Sequence, residues 1–219
     1  AALRRECAMD IGQRIRGEFV RESVLKQRRI GLTGGIATGK SRVGRLLEQR
    51  GLPLLDADGY GREALAPGSP GERAVQERYG DGVRAPSGAI DRAALGRIVF
   101  GDPVERRWLE DLVHPIVRRR FQEDLDKQAQ AATVVLMVPL LFEAGLDSLC
   151  SEVWFVDCDE TQQLQRLMAR DSLSEEAARA RMAAQWPLAR KRALASVVID
   201  NRGQPNALAS QLEQALRRP

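Results

Sequence analysis

The chain has 219 residues, enough for one substantial core with a small appended subdomain, and no apolar run approaches bilayer length. Its three cysteines, Cys7, Cys150 and Cys158, are odd in number and form no C-x-x-C pair, so they read as reduced thiols of a cytoplasmic protein. The net charge of +4 comes entirely from residues 1–29, which hold eight Arg/Lys against four acids, and a neutral body with one basic tail is weak evidence for nucleic acid; neither nucleic acid nor a membrane is the expected partner.

Residues 1–28 precede the first predicted strand. Ile11, Ile15, Phe19 and Val20 can line one face of a helix from about Asp10 to Lys26, either as a docking or membrane-surface helix or as a solvated extension. The segment lacks the apolar stretch of a signal peptide, and its acids argue against a transit peptide.

Ile30 and Leu32 form an apolar approach to Gly34-Gly35-Ile36-Ala37-Thr38-Gly39-Lys40-Ser41, which fits G-x-x-x-x-G-K-S. Val43, Leu46 and Leu47 follow at helical spacing, so the glycine-rich turn lies between a strand and a helix N-terminus, the context of a phosphate-binding loop. Glycines let the backbone curl around a polyphosphate with its N–H groups inward, and the helix N-terminus adds unsatisfied donors. Lys40 can reach β- and γ-phosphate oxygens, and the Ser41 hydroxyl can ligate Mg²⁺. The chain is therefore expected to bind a nucleoside triphosphate.

Leu52 to Asp58 reads as a short strand ending in two carboxylates. Alternation along a strand would turn Asp56 and Asp58 to the same side, at the carboxyl end where parallel α/β sheets bind ligands. Each acid is alternatively a helix N-cap or turn residue. From Gly59 to Ala132 the chain shows helical patterns over Ala74–Tyr79, Arg92–Phe100 and Pro103 to about Lys127, too long for a simple crossover and so a predicted helical insertion. His114 is the single histidine, which excludes His-rich zinc sites and paired-histidine mechanisms; it sits here with Arg118, Arg119 and Arg120, one of which can meet an anionic substrate.

Thr133–Val138 is a continuous apolar run expected of a strand buried on both faces, with Glu143 beyond its end as a site acid or helix cap. Glu152–Asp157 and Ala195–Asp200 are the last two predicted strands. Between them Thr161–Arg192 reads as helical and rich in arginine, either a solvated face or a closing lid. Leu208, Leu212 and Leu216 mark a final amphipathic helix over 206–217.

From Ile30 onward the chain resembles the dephospho-coenzyme A kinase family. The matching pieces, in order, are the loop from Gly31 to Ser41, Asp56-Ala57-Asp58, Leu109-Glu110 with His114-Pro115, and Pro139-Leu140-Leu141-Phe142-Glu143. Gln163, Arg166 and Arg170 follow, then Ala184-Gln185 and Asp200-Asn201 with Gly203. The loop alone is widely shared; the whole set in this order is specific. The departures are Ala37-Thr38 where Gly-Ser is common, Arg42 where Thr is common, and Ser196 where Asp is frequent. The resemblance implies an α/β fold of the P-loop NTPase type, a parallel sheet flanked by helices. Residues 1–28 would be an extension and 29–219 the kinase domain, with a helical acceptor-binding insertion over about 59–132 and a helical lid over about 160–192. It implies transfer of the γ-phosphoryl of ATP, with Mg²⁺, to the ribose 3′-hydroxyl of dephospho-coenzyme A. Asp58 would be the base, Lys40, Arg166 and Arg170 would stabilise transferring charge, and Asn201 and Gly203 would lie near the ATP base. His114, Arg118 and Glu143 would lie near the acceptor. The partners implied are these small molecules, with no obligate protein partner. Two other readings remain open: a nucleoside or nucleotide kinase of the same fold, and a regulator that binds ATP without transferring it.

Overall fold

The apolar approach to the glycine-rich loop becomes β1 (Arg28–Gly34), the central strand of a five-stranded sheet ordered β2-β3-β1-β4-β5. The other strands are β2 (Leu54–Asp56), β3 (Thr133–Met137), β4 (Glu152–Asp157) and β5 (Val197–Asp200), and every pairing is parallel. The computed structural model describes residues 27–203 and 205–218, so the helix expected over Asp10–Lys26 lies outside the described residues.

The described residues also form nine α-helices, α1 (Lys40–Glu48), α2 (Ala57–Ala64), α3 (Pro70–Tyr79), α4 (Arg92–Gly101), α5 (Pro103–Lys127), α6 (Glu160–Asp171), α7 (Glu175–Ala183), α8 (Leu188–Leu194) and α9 (Pro205–Leu216), and two short 3₁₀ turns, Gly80–Val83 and Leu146–Leu149. Parallel strands are covered on both faces by their crossover helices, and strand side chains alternate between the two. On one face Ile30, Leu32, Val135 and Trp154 pack with Val43 and Leu47 of α1 and Leu208 and Leu212 of α9. On the other, Val134, Leu136 and Val153 pack with Tyr60 of α2 and Phe121 and Leu125 of α5. None of the longer described helices is apolar enough to cross a membrane.

The stretch between β2 and β3 is helical, as expected, and carries its own small core of Leu65, Val75, Val83, Ile90, Leu95 and Val99. Its helices begin where the sequence supplies caps. Ser69 accepts from Glu72 N, Asp91 from Ala93 N and Ala94 N, and Asp102 from Val104 N, with Pro70 and Pro103 in first turns.

Two expectations need correction. β2 stops at Asp56, whose side chain accepts from Asp58 N at 3.0 Å and caps α2, so Asp58 lies in the first turn of a helix, not on the strand. The expected single helical tract over Thr161–Arg192 is broken into α6, α7 and α8. The first break falls at Ser172, held in the left-handed region at φ 52°, and the second precedes α8 around Pro187.

Candidate active site

The loop between β1 and α1 is held open by contacts from distant parts of the chain. Gln163 of α6 donates to the Ile36 carbonyl at 2.7 Å, and Ile36 N–H donates to Gln185 at 2.9 Å, so both sides of this residue are pinned. Asn201, just past β5, donates to the Thr38 carbonyl at 2.8 Å, and the Thr38 hydroxyl donates to the Gly35 carbonyl at 2.9 Å. Gly39 has φ 99°, and a Cβ there would stand 2.0 Å from Asn201 Nδ2, so the position demands glycine twice over. Lys40 and Ser41 open α1, where backbone N–H groups have no intrahelical acceptor, so the loop presents donors and positive potential to an anion.

Asp58 and Asp56 lie within electrostatic reach of Lys40. Burial holds the Lys40 ammonium below its usual range, opposed by the two aspartates and reinforced by Arg170 and Lys191. Burial holds the Asp58 carboxyl above the usual carboxylate range; Asp56 adds to the rise, while Lys40, Arg62 and Arg170 oppose it. A carboxylate displaced toward neutrality beside a lysine on a phosphate loop suits proton acceptance next to an anionic substrate. Asp56 caps α2 and meets Arg62 at 3.8 Å.

The arginines of α6 occupy two situations. Arg170 forms a two-pronged pair with Asp171 at 2.7 and 3.0 Å while still sensing the charge of Asp58. Arg166 donates from Nη2 to the Asn201 carbonyl at 3.2 Å, and its buried Nη1 has no partner among the described residues. Gly203 follows in the turn, with open space where a side chain would project.

A cavity of about 620 Å³ begins at Ile36 and Asp58 and runs into the helical insertion. Its walls have the repeat of helix faces: Asp58, Gly61 and Arg62 from α2, Leu95 and Val99 from α4, Leu109, Val113 and His114 from α5. Arg181 of α7 and Gln185 just after it also border the cavity, and the Arg181 guanidinium lies over the ring of Phe100 at 5.5 Å. Asp58 and His114 therefore share one cavity. Arg118 is elsewhere: it is exposed and donates to the Gly145 carbonyl at 3.3 Å and to Ser148 at 3.1 Å. Arg120 pairs with Glu63 and Glu123, and Arg119 is exposed, so none of the three consecutive arginines lines the cavity.

Glu143 lies behind the cavity, accepting from Trp186 N at 3.1 Å and pairing with Lys191 at 2.6 Å, while its Oε2 is buried and unpartnered among the described residues. Lys191 also reaches the Pro139 carbonyl at 3.4 Å. Lys191 and the loop-holding roles of Gln163 and Gln185 were missed by sequence reasoning. Both glutamines belong to the matching pieces, which was the available signal; Lys191 sat unmarked in a basic helix.

A model of the CoaE family, described as dephospho-CoA kinase, matches residues 28–206. A dephospho-CoA kinase from Synechococcus sp. (strain CC9605) is 65% identical over 192 residues, covering 87% of this chain and 93% of that protein. The crystal structure of TT1252 from Thermus thermophilus superposes with a TM-score of 0.74 at 36% identity, covering 87% of this chain and 96% of that one. Dephospho-CoA kinase from Campylobacter jejuni gives a TM-score of 0.64 at 25% identity, covering 86% and 95%. The parallel sheet, the pinned phosphate loop and the extent of these matches lead to one assignment: the chain belongs to the dephospho-CoA kinase family.

Proposed function

We propose that this chain transfers the γ-phosphoryl group of ATP to the ribose 3′-hydroxyl of dephospho-coenzyme A, giving coenzyme A and ADP in the cytoplasm. The observation that carries the reading is Asp58, which lines the cavity and lies within the electrostatic reach of Lys40 on the loop. A carboxylate at that junction is placed to move a hydroxyl proton from an acceptor in the cavity.

The phosphates of ATP lie along the loop, against the N–H groups at the start of α1 and the Lys40 ammonium. The acceptor enters the insertion, with its hydroxyl at Asp58 and its body beside His114. As the hydroxyl oxygen attacks the γ-phosphorus, Asp58 takes the proton. The bond from the γ-phosphorus to the β–γ bridging oxygen breaks, and ADP leaves with that electron pair. The transition state is loose, so positioning and charge neutralisation supply most of the catalysis. Arg166 keeps a free donor for this purpose, and Arg170 can exchange part of its pairing with Asp171 for the transferring group as the α6–α8 lid closes and excludes water. Ser41, exposed in the first turn of α1, is a hard oxygen donor that suits Mg²⁺, and Asp56 and Asp58, within electrostatic reach of the adjacent Lys40, are carboxylates of the same character. When bound, the ion supplies neutralisation of phosphate charge. Asn201 and Gly203 flank the side of the loop where the ATP base would rest, and Glu143 supports the acceptor side from behind through Trp186 and Lys191.

Coupled ADP release with dephospho-coenzyme A, adenosine and AMP as acceptors tests the proposal. Turnover is expected to be highest with dephospho-coenzyme A. A clear preference for adenosine or AMP would make the chain a nucleoside or nucleotide kinase, and no acceptor-dependent release would make it a nucleotide-binding regulator.

A further inference from the structure

We infer that Arg62 and Arg92 form a clamp for the diphosphate of the acceptor, at one end of the cavity and one helical turn from Asp58. The inference rests on the acceptor reading given above, and concerns which residues recognise that molecule and how the reacting hydroxyl is selected.

Four arginines line the cavity: Arg62, Arg92, Arg106 and Arg181. Arg181 is committed to Asp171 at 2.8 Å, and Arg106 approaches Glu110 at 4.0 Å. Arg62 has only a loose pair with Asp56, at 3.8 Å, and its side chain is 61% exposed. Arg92 has no carboxylate partner among the described residues; its Nη2 donates to the Arg62 carbonyl at 3.1 Å. That bond fixes the start of α4 against α2 and brings the two arginines to the same stretch of wall, with most of their donors unused. Guanidinium groups offer paired N–H donors that match phosphate oxygens, so an anion is the ligand this wall suits.

The position of the pair is set by α2. Asp58 and Arg62 are four residues apart on one helix face, a rise of about 6 Å. That is of the same order as the distance from a ribose 3′-oxygen to its 5′-phosphate. In dephospho-coenzyme A the diphosphate lies on the 5′ side of the ribose that is phosphorylated. Anchoring it at Arg62 and Arg92 delivers the 3′-hydroxyl to Asp58, and α2 acts as a ruler. Beyond the clamp, Leu95, Val99 and Leu109 offer an apolar wall to the uncharged arm that continues from the diphosphate.

The test is steady-state kinetics of Arg92→Ala, Arg92→Lys and Arg62→Ala at saturating ATP, with adenosine as a competitive inhibitor against dephospho-coenzyme A. Arg92→Ala should raise the KM for dephospho-coenzyme A at least about tenfold, the scale of a charge-assisted contact, with a smaller change in kcat and in the KM for ATP. Arg92→Lys should recover part of the loss, and Arg62→Ala should act in the same direction. Adenosine lacks the diphosphate, so its inhibition constant should not change. An unchanged KM overturns the clamp. So does a parallel rise in the adenosine constant, which would mean that Arg92 shapes the cavity and does not read the diphosphate. Absence of turnover with dephospho-coenzyme A in the unaltered chain is a separate result: it removes the acceptor reading itself, and the clamp with it.

Discussion

Lys191 Nζ lies 2.6 Å from Glu143 Oε1, and no part of the Lys191 side chain reaches solvent. An ion pair out of water tolerates the loss of one partner badly, because the survivor keeps its desolvation cost without compensation. Lys191→Met should therefore destabilise the fold by about 3–5 kcal/mol. Adding Glu143→Gln should recover part of that loss. Urea denaturation of the single and double variants measures both; a loss below about 1 kcal/mol, the scale of an exposed pair, would mean that water reaches Lys191.

Asp58 and Asp56 should separate in kinetics. Asp58→Asn removes the proposed proton acceptor, and turnover should fall by about 10²–10⁴-fold with little change in ATP affinity. Asp56→Asn keeps an N-cap for α2, since asparagine caps as well as aspartate, and should cost far less. Turnover and ATP binding measured across a Mg²⁺ titration check this. Recovery of Asp58→Asn at high metal concentration would give Asp58 to the ion, and a rate loss confined to Asp56→Asn would give the proton to Asp56.

The pH profile follows from the same charges. Asp58 must be ionised to accept a proton, so kcat/KM rises with pH through a value above that of an ordinary aspartate. Lys40 must be charged to hold phosphate, so kcat/KM falls again through a value below that of an ordinary lysine. Asp56 raises both groups, so Asp56→Asn should move both limbs of the profile to lower pH. Limbs that move apart, or stay fixed, would show that Asp56 does not act on the pair.

Ala37 is held at φ 59°, a left-handed conformation that burdens any residue with a Cβ. Ala37→Gly should stabilise the protein by about 1 kcal/mol, seen as a raised melting temperature. A fall would mean that the Ala37 methyl group, which packs against the Leu164 and Leu167 cluster, contributes more than the strain removes.

The features that were legible in the sequence are those whose chemistry is local. The phosphate loop needs its glycines, lysine and serine at fixed spacing, and α5 runs from Pro103 to Lys127, the bounds expected from the sequence. Asp58 was read on a strand because Leu52 to Leu55 is apolar. A three-residue strand whose last residue caps the next helix is decided by hydrogen bonding that apolar content does not report. Lys191 was hidden among arginines because α8 buries it against Glu143, a partner 48 residues earlier and outside any sequence window. Arg118 stood beside His114-Pro115 in the sequence, yet it is exposed and donates to Gly145 and Ser148, away from the cavity where His114 lies.

Asn201 donates to a carbonyl 163 positions earlier, and Gln163 to one 127 positions earlier. On the ribosome, Gly34 to Ser41 is made long before the side chains that set its curvature, which follow 127 and 163 positions after the carbonyls they hold. A nascent chain therefore carries the nucleotide signature long before it has a nucleotide site. Premature release before residue 201 leaves the loop without the amide that holds Thr38, and such a fragment would have no means of spending ATP.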